Sequence, residues 1–268
     1  MEDIQTITKP NPLLERLKIP GETVRLPSGG IFYKSEELQP SVKNGEVHVY
    51  PLTTFDEIVL KSPDKLINGS AIDEVFRRCI PEVQKPLELF AKDVDYLTMA
   101  LKRVTFGPFL ELQYNHGCSP TSKEYTYTCD VNEFMKNAKA IDPTTIGENY
   151  KLTLPNGQVV EILPTRFRSV IAMLEDANAQ KQGDDLIILK DRVMNSITNV
   201  IESVDAIADK ALIREWLEQV GAGWMRQITE GIEKAGNWGP DTTFKTTCKD
   251  CNEPIALEVP LNPVTFFT

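Results

Sequence analysis

Two cysteines three positions apart, Cys248 and Cys251, stand in a turn between two strand-like runs, and no other pattern limits the possible fold as strongly. After the pair, Ile255, Leu257, Val259 and Leu261 alternate with Ala256, Glu258 and Pro260, the period of a strand with one buried face. A turn that carries two thiolates supplies half of a tetrahedral zinc site. The other two ligands must come from elsewhere in the chain.

The segment that matches it lies 130 residues upstream, at 248 minus 118. There Tyr114-Asn115-His116-Gly117-Cys118 leads into Tyr125, Tyr127, Cys129, Val131 and Asn132. Shifted by 130, these last five fall on Ile255, Leu257, Val259, Leu261 and Asn262. An aromatic-Gly-Pro triplet precedes both copies, Phe106-Gly107-Pro108 and Trp238-Gly239-Pro240. The pattern is that of two hairpins of one kind separated by a helical segment. One reading is a single structural zinc site shared by both hairpins; the other is two similar hairpins whose cysteines only pack. Thr121 stands where the second hairpin has Cys251, so three thiols are in place: Cys118, Cys248 and Cys251. Two residues compete for the fourth position. His116 is two before Cys118, so an extended backbone points both side chains to one face. Cys129 falls on the apolar stripe, where a small buried hydrophobe is expected. Cys79, within Val75-Phe76-Arg77-Arg78-Cys79-Ile80, is expected in the core.

Composition narrows the function classes. Hydrophobic residues are 41% and charged residues 25%, the balance of an ordinary globular chain. No run of about 18 apolar residues occurs, so no membrane span is expected. The N-terminus lacks a basic region followed by an apolar stretch, so no signal peptide is expected. Five cysteines suit a reducing compartment better than a disulfide scaffold. A net charge of −10 without a Lys/Arg cluster argues against nucleic acid, whose phosphates need cations in place of counterions. Two histidines, both on strand-like segments, leave little for a hydrolase, so no catalytic residues are assigned and the protein is not expected to be an enzyme.

In chain order, residues 1–24 carry Pro10, Pro12 and Pro20 around one helix-like piece and read as an arm. Gly29-Gly30 predicts a tight turn before a strand at 31–33. Residues 46–50 alternate as a strand. Thr54 and Glu57 predict a capping box opening a helix that ends at Ser62-Pro63. Asn68-Gly69 is a turn, with Ser70 as cap of a helix over 71–80. Residues 93–104 form a third helix, and a short helix follows the first hairpin at 132–140. Asn156-Gly157 predicts a type I′ hairpin within 150–163. From Arg166 the period turns helical: Leu186, Leu189, Val193, Ile197, Val200, Val204 and Ile207 are spaced by threes and fours, as in a helix lying along a neighbour in its own chain or another. A further helix is expected at 225–235. The predicted architecture is α+β: two zinc-ribbon-like β-hairpins with a helical insertion, an N-terminal arm and a small helical bundle. Its segments are the arm at 1–24, an α+β region with the first hairpin at 25–165, the helical insertion at 166–236, and the second hairpin, closing on the first, at 237–268.

Several marks in order resemble one family. They are Leu26-Pro27-Ser28-Gly29-Gly30 with Tyr33, and Asn68-Gly69 leading into a helix that ends at Cys79. Next come Asp95-Tyr96-Leu97 running to Arg103-Val104-Thr105-Phe106-Gly107, then the Cys-x-x-Cys followed by Leu261-Asn262-Pro263 and Phe266-Phe267. Together these resemble the T4-type baseplate proteins of contractile-tailed phages, which include baseplate hub components and hub assembly factors. The resemblance runs from about residue 25 to 268. It implies other phage baseplate and tail proteins as partners, self-association among the options, and a location in the host cytoplasm during assembly, with the virion tail baseplate as a further option; it does not by itself say whether the protein stays in the particle. A zinc-ribbon adaptor of some other protein complex is the alternative that the residues alone allow.

Overall fold

The computed structural model describes residues 20–118, 123–142, 151–179, 185–261 and Phe266. Most of the expected arm, at 1–19, lies outside the described residues, as do Thr121 and the Asn262-Pro263 and Phe267 marks. Within them the protein is mixed α/β, with nine α-helices and four small antiparallel sheets.

Strand β1 (Glu22–Arg25) pairs antiparallel with β2 (Glu46–Val49). The expected strand at 31–33 is absent: Ile31 and Phe32 continue a turn that starts at Pro27 and passes through Gly29 and Gly30, both at positive φ, and Tyr33 follows it outside any strand. Helices α1 (Thr54–Leu60), α2 (Pro63–Ile67) and α3 (Ser70–Cys79) follow, and then α4 (Ala91–Phe106). The capping box at α1 is one residue earlier than expected. Thr53 is the cap: its Oγ1 accepts from the Asp56 N–H, and the Asp56 carboxylate accepts from the Thr53 N–H at 2.7 Å. Arg78 ion-pairs with the buried Asp56 from α3. Helix α3 starts at Ser70, after a left-handed Gly69, so Ser70 is its first residue rather than its cap. Pro63 does not merely end α1; it opens α2, where the missing N–H costs nothing.

The first hairpin is β3 (Phe109–Tyr114) with β4 (Tyr125–Asp130), leading into α5 (Val131–Lys136). Strands β5 (Lys151–Thr153), β6 (Val159–Ile162) and β7 (Ile201–Val204) form a three-stranded sheet in the order β5-β6-β7. The β5–β6 turn is not type I′. Gly157 has φ 86° and Asn156 does not have positive φ. The Gly157 N–H donates to the Leu154 carbonyl and the Leu154 N–H to that of Gln158, so Pro155-Asn156-Gly157 forms a three-residue loop closed by a left-handed glycine.

Helices α6 (Phe167–Ala179) and α7 (Asp185–Val200) precede β7, and α8 (Lys210–Gln219) and α9 (Ala222–Ala235) follow it. The seven-residue stripe is therefore not one helix. It ends at Val200; Val204 closes β7, and Ile207 bridges back to it across Asp205 and Ala206, both at positive φ. The sheet draws on residues either side of position 165. Helix α8 has a strong local cause: Asp209 accepts from the N–H groups of Ala211 and Leu212, at 2.8 and 3.2 Å. Asp209→Ala is expected to cost about 1 kcal/mol, read as a lowered unfolding midpoint. Strands β8 (Thr243–Thr247) and β9 (Pro254–Glu258) form the second hairpin.

Two main cores result. The larger gathers β1, β2, α1, α3 and α4, then Leu110, Cys129, Val131 and Phe134 from around the first hairpin, and Val259 and Phe266 from the end. The second packs β6 and β7 against α7, α8 and α9 through Val160, Ile162, Ile201, Ile213 and Ile228.

Buried charge fixes how the Leu26–Tyr33 turn meets α4. Asp93 is fully buried; its carboxylate accepts from the Ser28 N–H at 3.1 Å and from the Tyr33 hydroxyl at 2.6 Å, and that hydroxyl accepts from the Phe90 N–H. Burial pushes the Asp93 carboxyl up from 3.8 to about 6, against the pull of those hydrogen bonds. The folded protein therefore holds this proton more tightly than the unfolded chain, and the stability it contributes declines as pH rises from about 4 to about 6. At about 1.4 kcal/mol per pH unit the interval is worth about 3 kcal/mol. Unfolding by urea at several pH values should show the difference between wild type and Asp93→Asn changing by that amount across this window.

Candidate metal centre

The site is assembled from two turns. In the second hairpin, Cys248 ends the strand pairing and Cys251 comes round three residues later. The Asn252 N–H donates to the Cys248 carbonyl, the Cys248 N–H donates to the Glu253 carbonyl, and Asn252 takes a left-handed φ of 60°. Backbone N–H groups of Cys251 and then Asp250 point at the Cys248 sulfur and pull its pKa down from 9.0 to about 7. The turn thus favours a thiolate before any ion arrives. In the first hairpin, Gly117 sits between His116 and Cys118 at φ 66°, and its N–H donates to Asn115 Oδ1 at 2.8 Å. That bend turns His116 and Cys118 toward the other hairpin.

The ligand atoms of His116, Cys118, Cys248 and Cys251 all lie within 4.8 Å of one another. Cys118 Sγ is 4.0 Å from Cys248 Sγ, and Cys251 Sγ is 3.5 Å from His116 Nδ1. Tetrahedral zinc, with Zn–S about 2.3 Å and Zn–N about 2.0 Å, separates two sulfurs by about 3.8 Å and a sulfur from a nitrogen by about 3.5 Å. The donor set and its spacing therefore fit a metal ion, and these four residues could hold one. Loss of solvent around its sulfur, followed by the nearby Cys251 and Cys248, pushes the Cys118 thiol up to about 11. A cation among the sulfurs would reverse that shift.

The structure brings together all four expected residues and separates Cys129 from them. Cys129 faces Leu110 across the ladder and is buried in the larger core, where burial raises its thiol to about 11. Cys79, buried on α3, is raised likewise.

Residues not singled out from the sequence brace the two hairpins against each other. Asp250, inside the Cys-x-x-Cys turn, accepts from the Tyr125 hydroxyl at 2.6 Å and from the Lys123 N–H at 3.3 Å. Lys249 donates through Nζ to the Thr126 carbonyl at 2.7 Å, and its ammonium lies over the rings of Tyr125 and Tyr127. Tyr127, Cys248, Ile255 and Leu257 close a small core between the hairpins, with Leu112 and Phe244 packed beside them. The alternation of Tyr125 and Tyr127 signalled a buried strand face; nothing in the spacing pointed to Asp250 or Lys249.

Among the described residues no helix is long and apolar enough to cross a membrane. The family model described as T4 bacteriophage base plate protein matches residues 35–268. No curated protein and no solved structure matches the chain.

Proposed function

Because the chain belongs to the T4 bacteriophage base plate protein family, we propose that it serves as a baseplate hub component or hub assembly factor of a contractile tail, working through protein–protein contacts rather than catalysis. Its partners are other phage tail proteins, met in the host cytoplasm while the tail is built. The two hairpins form a zinc ribbon: His116, Cys118, Cys248 and Cys251 hold one structural zinc. The convergence of these four ligand atoms within 4.8 Å, from turns 130 residues apart, carries this reading. Four protein ligands fill a tetrahedral ion's coordination and leave no open position for substrate, so the ion's contribution is to cross-link. The chain between the hairpins, α5 to α9, is thereby held at both ends.

Mass spectrometry of tail subassemblies from infected cells, beside finished particles, tests the role. The chain is expected to sediment with tail proteins. Its persistence in finished particles makes it a component, and its loss makes it an assembly factor. Absence from both subassemblies and particles overturns the proposal.

A further inference from the structure

Three of the four residues that converge between the hairpins are thiols, and they differ in ways that metal binding alone does not require. Cys118 and Cys251 are exposed, whereas Cys248 is 1% exposed. Cys118 Sγ lies 4.0 Å from Cys248 Sγ, while the group in contact with Cys251 Sγ is His116 Nδ1, at 3.5 Å. A disulfide needs its sulfurs about 2 Å apart, so the first pair must close by about 2 Å. Rotation of an exposed side chain supplies a movement of that size. Cys118 is placed to make it, since it follows Gly117, where even an added Cβ would meet nothing within 4 Å among the described residues. The partner sulfur is fixed, because Cys248 belongs to the small core with Tyr127, Ile255 and Leu257. The other two thiols, Cys79 and Cys129, are each 2% exposed and lie in the larger core.

We infer that Cys118 and Cys248 are a redox-modification site: a peroxide converts them to a disulfide that joins the same two hairpins as the metal. The reaction has two steps. The exposed Cys118 thiolate attacks one peroxide oxygen; an S–O bond forms and the O–O bond breaks, leaving a sulfenic acid and hydroxide. Cys248, beside it, then attacks the Cys118 sulfur as a thiolate; the S–S bond forms and the S–O bond breaks, releasing a second hydroxide. The two sulfurs lose two electrons to the peroxide, and two protons turn the hydroxides into water. His116 and Cys251 remain, too few to close a tetrahedral site, so a bound zinc ion leaves with its oxidation state unchanged. The exchange keeps the cross-link. The disulfide closes the same 130-residue span, so α5 to α9 stay held at both ends. The medium selects the form, since thiols persist in a reducing cytoplasm and disulfides outside it. This inference rests on the zinc reading and adds what becomes of that site under oxidation.

The test uses the full chain, purified in reductant with zinc, exchanged out of reductant and treated with hydrogen peroxide. Released zinc is read with a chelating dye. Remaining thiols are then blocked and the chain is digested with trypsin in the absence of reductant. Lys249 lies between Cys248 and Cys251, so trypsin parts the two and each pairing yields its own linked peptides. A Cys118–Cys248 peptide pair should appear in step with the release of one zinc per chain, and dithiothreitol with added zinc should reverse both. Cys251→Ser should still form the pair and Cys118→Ser should form none. A Cys248–Cys251 or Cys118–Cys251 pair in its place, sulfinic acid at Cys118 without any pair, or a pair that forms while zinc stays bound overturns the inference. If the purified chain carries no zinc, the zinc reading fails, and the peptide map still decides the disulfide.

Discussion

Cys248→Ser is expected to abolish binding of the proposed zinc and to lower the melting temperature by roughly 10 °C. Cys248 is the most enclosed of the four proposed ligands, 1% exposed, and it is also part of the small core between the hairpins. An ion that binds only the folded chain stabilises it by about 4 kcal/mol when free ion is a thousandfold above Kd. In a chain of this length each kcal/mol moves the midpoint by roughly 2–4 °C. The serine hydroxyl has nearly the shape of the thiol but is smaller and more polar, so lost packing in the small core adds only a modest part. Cys79→Ser sits in the larger core, far in the fold from the cluster, and should leave zinc content unchanged while lowering stability modestly. Scanning calorimetry with elemental analysis of both variants reads the contrast. Equal melting temperatures for Cys248→Ser and wild type would reduce the cysteines to packing residues.

Gly45→Ala should cost about 3 kcal/mol, about twice as much as Gly29→Ala. Both residues have left-handed φ, at 74° and 67°, so both substitutions carry conformational strain of about 1–2 kcal/mol. They differ in space. A Cβ on Gly45 would lie 2.4 Å from the Gly29 carbonyl carbon and 2.7 Å from the Gly30 nitrogen, whereas one on Gly29 meets nothing within 4 Å. The backbones of the Leu26–Gly30 turn and the turn before β2 are in direct contact, and the Leu26 N–H donates to the Gly45 carbonyl across it. An alanine would push the turn off, and with it the Ser28 N–H that meets buried Asp93. Urea unfolding of the two variants side by side checks the asymmetry; equal costs would mean that the close approach is not maintained in solution.

The hairpins and the four-residue cluster were readable because their signals are strict. A period of two admits only one buried face, and the 130-residue offset aligns both the stripe and the turns. His116 and Cys129 could not be separated by spacing. What separates them is the bend at Gly117, a feature of backbone conformation, and the register that sets Cys129 opposite Leu110. The second core was less readable. Val204 and Ile207 extend a 3-4 spacing begun in α7, yet the chain leaves the helix at Val200 because β6 offers a strand edge to Ile201–Val204. Such long-range pairing overrides local periodicity. The same ambiguity on a smaller scale displaced the cap of α1. Thr53-Thr54 followed by Asp56-Glu57 satisfies the capping pattern in two frames, and pairing of the buried Asp56 with the exposed Arg78 selects the earlier one. At Asn156-Gly157 the dipeptide favours a type I′ turn, but Pro155 just before it has φ locked negative and suits a type I turn closed by Gly157.

The proposed centre is one zinc ion held by three sulfurs and one nitrogen. Zinc X-ray absorption on full-length protein purified without chelator reads the ligand set directly. One zinc per chain, with three sulfur neighbours at about 2.3 Å and one imidazole nitrogen at about 2.0 Å, is the expected result. Absence of zinc, or a four-sulfur shell that would need Cys129 to leave the larger core, would contradict it.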